Sequence, residues 1–132
     1  MLHYFLFYKP FQVLSQFSKV ENKKTLADFF INIPKDVYPV GRLDFDSEGL
    51  ILLSNDKKIS HQLLEPKFAH QRTYFVQVEG NIENGALVKL QKGVTISVDG
   101  KNYQTKKAIA KKLNDEPRLP ERMPPIRFRK NI

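Results

Sequence analysis

The ionisable chemistry of this chain is concentrated in one short stretch. Arg42, Asp44, Asp46 and Glu48 fall within residues 41–48, and the apolar run Leu50-Ile51-Leu52-Leu53 follows directly. An apolar run closed by Ser54-Asn55-Asp56 reads as a buried strand ending in a turn. The charged loop before it is therefore anchored against a core. A carboxylate that is both desolvated and unpaired costs several kcal/mol, so a cation or several hydrogen-bond donors must stand near it. That is the setting in which an aspartate does chemistry. The residues alone admit a plain turn with solvated charges. They also admit a carboxylate pair, since Asp44 and Asp46 point the same way on an extended segment, although nothing else suggests a sugar cleft. A calcium loop fits less well. Asp44, Asp46, Glu48 and Gly49 occupy positions one, three, five and six of an EF-hand, but the twelfth position is Asn55 and the flank is strand-like.

The elements that must position this loop are legible from periodicity. Residues 3–8 are predicted to form an aromatic strand ended by Lys9-Pro10, followed by a polar, basic loop over 11–24. Thr25 with Asp28 makes a capping-box-like start for a helix over 26–31, which stops before Pro34. Residues 37–40 lead into the charged loop as an extended segment, and 57–64 place Ile59, Leu63 and Leu64 at helical spacing before Pro66. Residues 72–79 alternate so that Tyr74 shares a face with Val76 and Val78, which predicts a strand holding the Tyr74 ring on its buried side. A helix over 83–91 ends at Gly93, and Asp99-Gly100 joins 94–98 to 102–105 as a hairpin. Residues 106–113 favour helix by propensity, but after a hairpin the expectation is a third strand. The four prolines of 117–125 make a loop, and 126–132 are basic and partly alternating. Strands outnumber helices and connections are short, so the expected fold class is α+β with a mixed, largely antiparallel sheet and flanking helices, in a single domain over 1–132.

Composition narrows the function classes. The 132 residues suit one core. There is no Cys, which excludes disulfides and thiolate metal sites and points to a reducing cytoplasm. The apolar start is too short for a secretory leader, and no stretch approaches the ~20 apolar residues of a membrane span. The three His have no metal-like spacing. The net charge of +8 is uneven: residues 1–66 hold eight basic and eight acidic side chains, whereas 67–132 hold fourteen and six. A localised basic excess is the footprint of a polyanion binder.

Three ordered stretches carry a resemblance. Gly41-Arg42-Leu43-Asp44 with Ser47-Glu48-Gly49-Leu50-Ile51-Leu52-Leu53-Ser54-Asn55-Asp56 is similar to the signature of the ribosomal-RNA pseudouridine synthases. Tyr8-Lys9-Pro10-Phe11-Gln12-Val13-Leu14-Ser15-Gln16-Phe17 resembles their opening strand and loop. Arg72-Thr73-Tyr74-Phe75-Val76-Gln77-Val78-Glu79-Gly80 resembles their basic-x-Tyr strand, where Lys is the usual first residue. The nearest likeness is to members that modify single uridines of large-subunit rRNA and lack an N-terminal S4-like domain.

The resemblance implies a mixed sheet with a central cleft and isomerisation of a uridine within RNA, without metal or small-molecule cofactor. Asp44 matches the catalytic carboxylate and Tyr74 the tyrosine that lies against the base. Arg42 matches the arginine beside the aspartate and would fill the gap left by a flipped base or hold phosphate. Leu43 would form pocket wall, and Lys9 and Arg72 are expected to contact RNA. Asp46, Glu48 and Asp56 are left to turn chemistry. Family members continue into a further strand and an Arg-rich motif that supplies a cation to the catalytic carboxylate. Residues 1–132 are thus expected to form a catalytic domain without its last part, inactive and prone to self-association alone, monomeric when complete. The alternative is an RNA-binding module that keeps the fold without turnover.

Overall fold

A computed structural model describes residues 1–125; the basic stretch 126–132, with its expected alternation, lies outside the described residues. The chain forms two compact units. The first comprises Met1–Thr73 with Arg122–Pro124, and the second contains Tyr74–Glu121.

In the first unit, β1 (Tyr4–Lys9), β2 (Val13–Leu14), β3 (Lys24–Thr25), β4 (Tyr38–Val40) and β5 (Gly49–Ser54) precede the helix α1 (Lys57–Leu64). β5 lies between β1 and β4 and is antiparallel to both, while the two-residue strands β2 and β3 pair in parallel. The register sets Phe5 against Leu53, Phe7 against Ile51 and Lys9 against Gly49. Phe5, Phe7, Ile51 and Leu53 belong to one core with Leu26, Val37, Phe17, Phe30 and Ile33. Phe30 is the hub of that core, with its ring centroid 5.0 Å from Phe7, 6.4 Å from Phe5 and 6.2 Å from Phe17, each in an edge-on arrangement. Such pairs add to area burial because the positive ring edge meets a negative face.

The expected helix over 26–31 shortens to one 3-10 turn, Leu26–Asp28. Its capping box is present: Thr25 Oγ1 accepts from Ala27 N at 3.3 Å and Asp28 Oδ2 accepts from Thr25 N at 2.8 Å. The chain then leaves the helix, and Phe29 and Phe30 set their rings 5.4 and 5.0 Å from Phe7. Ring packing overrides the local start signal here.

In the second unit, α2 (Asn84–Lys92) ends at Gly93, and β6 (Thr95–Val98) pairs antiparallel with β7 (Lys101–Gln104). Asp99 and Gly100 have φ of 51° and 76°, the left-handed pair that a two-residue type I′ hairpin requires. Two expectations are corrected. Residues 72–79 and 106–113 are not strands among the described residues, and Tyr74, Val76 and Val78 are exposed rather than on a buried face. Alternation fixes which side chains share a side, not whether that side is covered. Residues 108–110 instead lie beside α2, where Ala108 N donates to Gln91 O and Gln91 Nε2 to Ala110 O. The fold is α+β. No helix among the described residues is long and apolar enough to cross a membrane.

The start of α1 is tied to β1 through Asp56. Its Oδ1 accepts from Lys58 N and Ile59 N at 2.9 and 3.3 Å, and its Oδ2 accepts from the Tyr4 hydroxyl at 2.7 Å. The Tyr4 bond, helped by these amides, lowers the Asp56 pKa below its ordinary 3.8. A carboxyl with a depressed folded-state pKa contributes stability above its unfolded value and loses it as pH falls through the folded one. Asp56→Ala is therefore expected to lower the urea midpoint at neutral pH. Its difference from the parent should shrink below pH 3.8, the unfolded value; equal midpoints at neutral pH would remove Asp56 as the tie.

Candidate active site

Residues 41–48 connect β4 to β5 and are held from three sides. Gly41 has φ of +82°, and a Cβ there would stand 3.2 Å from Leu64 Cδ2 of α1, so the loop leaves β4 through a position suited to glycine. The buried Ser15 hydroxyl donates to Leu43 O at 2.8 Å and accepts from Leu43 N at 3.0 Å. On the other side, Gln12 N donates to Phe45 O at 2.8 Å. Ser47 N donates to Asp44 O at 3.0 Å and closes the turn. Asp44 is bracketed by fixed neighbours, and its own side chain is exposed.

Beneath the loop sits Lys9, 0% exposed. Strand alternation carries it there: Phe5, Phe7 and Lys9 share the inward face, and Lys9 lies opposite Gly49, which has no side chain to block it. Its Nζ donates to Pro10 O at 2.9 Å and Val13 O at 2.8 Å. Burial pushes its pKa below 10.5, and Asp44, then Asp46, then Glu48 pull it back up. The expected RNA contact by Lys9 is thus corrected. A buried ammonium bonded to two carbonyls does not reach a phosphate; it clamps the turn after β1 and faces the acidic loop with opposite charge. Lys9 thus places a positive charge within electrostatic reach of Asp44, whose own side chain is exposed to solvent.

The remaining expected residues divide. Arg42 and Asp44 are both exposed, and Arg42 Nη2 makes only a long 3.5 Å bond to Gln16 Oε1. Arg42, Ser15, Gln16, Phe17, Tyr38 and Leu64 line an open hollow beside the loop. Leu43 is half-buried under the Ser15 bonds. Arg72 spends a guanidinium donor on Leu63 O at 3.1 Å, in the last turn of α1. Tyr74 belongs to the second unit and is exposed. No group of three or more His, Asp or Glu placed to hold a metal occurs among the described residues.

Sequence reasoning missed Ser15, although it lies inside one of the quoted stretches. It also missed two cations beside the loop. Lys23 Nζ lies 5.1 Å from the Phe45 ring centroid, and the Arg122 guanidinium lies 3.9 Å from that of Phe11. No spacing rule links residue 122 to residue 11; the sequence offers only one of two arginines in a proline-rich stretch.

Residues 3–128 match the family described as RNA pseudouridylate synthase. The chain is 46% identical over 128 residues to ribosomal large subunit pseudouridine synthase E of Vibrio parahaemolyticus, covering 96% of this chain and 50% of that protein. Over 103 residues it is 41% identical to ribosomal large subunit pseudouridine synthase B of Bacillus subtilis, covering 78% and 42%. The fold matches a crystal structure of a pseudouridylate synthase with a TM-score of 0.74 and 29% identity, over 87% of this chain and 48% of that one. The chain spans about half the length of these proteins.

Lys9→Met keeps the length of the side chain and removes its donors and charge. Two carbonyls then lose a partner and three carboxylates lose their counter-charge. An unfolding free energy lower by about 1–3 kcal/mol is expected, on the scale of a buried group left unsatisfied. In the parent, the folded Lys9 pKa lies below the unfolded value, so between the two the unfolded chain binds more protons and stability rises with pH. That alkaline rise should vanish in the variant. Unchanged urea unfolding at both neutral and alkaline pH would show that Lys9 clamps nothing.

Proposed function

The chain belongs to the RNA pseudouridylate synthase family, and on that premise we propose that it converts a specific uridine of ribosomal RNA, in the large subunit, to pseudouridine, with Asp44 as the catalytic carboxylate. The observation that carries this reading is the bracketing of Asp44. Ser15 fixes the residue before it and Gln12 the residue after it, while the carboxylate stays open. A group held in this way reaches its target with little reorganisation, which is how positioning and fixed electrostatics lower a barrier.

The reaction breaks the N1–C1′ glycosidic bond, turns the base and joins C5 to C1′; C5 loses a proton and N1 gains one, so no redox partner is needed. The target base must leave its stack to meet Asp44. Arg42, exposed two residues away, is suited to filling the vacated space or gripping phosphate, and the neighbouring Leu43 to bordering the base. Tyr74 is assigned to the base and to proton transfer. Arg72 would contact RNA with the donors it does not spend on α1. The relatives named for the large ribosomal subunit support rRNA as the substrate class.

In the protein containing residues 1–132, Asp44→Asn is expected to abolish conversion of unmodified, in vitro transcribed large-subunit rRNA, scored by carbodiimide-dependent reverse-transcription stops. RNA affinity and unfolding midpoint should stay near the parent values, because the amide keeps the shape. Conversion at the parent rate would overturn the assignment of Asp44. A parent protein that binds this RNA but converts none of it would favour the binding-module alternative. Tyr74→Phe should lower single-turnover rate far more than thermal stability; the reverse pattern would make Tyr74 a structural residue.

A further inference from the structure

We propose that Lys23 and Arg122 form a clamp for the RNA sugar-phosphate backbone around the loop that carries Asp44. The inference rests on the reading of this site as an RNA-modifying one and adds two residues to it. Each cation is seated on an aromatic ring: Lys23 on Phe45 at 5.1 Å, and Arg122 on Phe11 at 3.9 Å. The two seats are joined, since Gln12, the neighbour of Phe11, donates its backbone N–H to Phe45 O at 2.8 Å. Phe45 directly follows Asp44 in the chain. Both cations are therefore tied, through a ring and one backbone bond, to the loop that carries Asp44.

Their local structure is also suited to presentation. Lys23 is exposed at the end of a tight turn, with Asn22 at φ of 61° and Lys23 N donating to Val20 O. Arg122 is brought to the first unit by the segment Arg122–Pro124, far along the chain from the rest of that unit. Neither cation has a carboxylate partner among the described residues, where the one ion pair is His61 with Glu65. Arg122 Nε is buried without a hydrogen-bond partner among those residues. A ring face holds a cation by its quadrupole but accepts none of its N–H donors in line. Seated on a ring, the exposed Lys23 ammonium and the Arg122 donors other than the buried Nε remain open to an acceptor from outside. Phosphate oxygens match that need, and guanidinium meets them with two parallel donors. Asp44, Asp46 and Glu48 would repel the same backbone, so an acidic loop that works on RNA needs cations at its flanks. The buried Lys9 lies under the loop, not on its surface.

The test uses the full chain, a short fluorescein-labelled single-stranded RNA of mixed sequence, and anisotropy titrations across a salt series. Lys23→Gln and Arg122→Gln are compared with Lys35→Gln, the same charge change at an exposed position with no aromatic seat. Each clamp variant is expected to weaken binding several-fold at ~0.1 M salt and to flatten the log–log salt slope by about 0.7, the value for one phosphate contact on a single strand. Lys35→Gln should leave the slope at the parent value. Lys23 has no core contact to lose, so its variant decides the matter if Arg122→Gln unfolds. Clamp variants indistinguishable from Lys35→Gln, with the parent binding normally, would overturn the clamp alone. A parent with no salt-sensitive RNA binding would overturn the clamp together with the proposed function.

Discussion

A lysine buried beneath three carboxylates is the constraint on which the first unit depends. Burial lowers the Lys9 pKa below its ordinary value, and Asp44, Asp46 and Glu48 oppose that shift. The attraction is mutual, so the Lys9 ammonium offsets part of the repulsion among the three carboxylates of the loop. Two carbonyls, of Pro10 and Val13, complete the coordination of the ammonium and fix the turn after β1. That turn presents Gln12 to Phe45 and Phe11 to Arg122. One buried charge therefore organises both the loop that carries the candidate catalytic group and the turn that supports it. Replacing such a charge by an apolar residue is often harmless where partners are removed together; here the partners would remain.

Around this charge the aromatic residues divide their labour. Phe5, Phe7, Phe17 and Phe30 meet edge to face and close the core under the sheet. Phe11 and Phe45 stand at its border, where each supports a cation on its face. The first set makes the platform rigid, and the second places charge at its rim. Rigidity matters for an exposed carboxylate because positioning must come from the backbone when the side chain itself is not packed. Ser15, buried and bonded twice to Leu43, supplies that positioning with one hydroxyl.

Local patterns in the sequence determined a good deal of this protein. Apolar runs, turn residues and helical spacing located β1, β5, α1, α2 and the Asp99-Gly100 hairpin; the helices and the hairpin rest on interactions between residues near in sequence, while β1 and β5 announce themselves as apolar runs that then pair with each other. Three short stretches identified the family and singled out Asp44. The sequence reads Lys9 as an RNA contact, and only the structure shows it buried with Phe5 and Phe7 on the inward face of β1. Other decisions needed the third dimension. Whether the side shared by Tyr74, Val76 and Val78 is covered depends on distant elements that no alternation names. Whether the chain after Thr25 stays helical was settled by Phe29 and Phe30 reaching Phe7. The seating of Arg122 on Phe11 joins residues more than a hundred apart. Periodicity encodes which way a side chain points along its own element; what it meets there is fixed only when distant elements are brought together and their charges and rings compete for the same space.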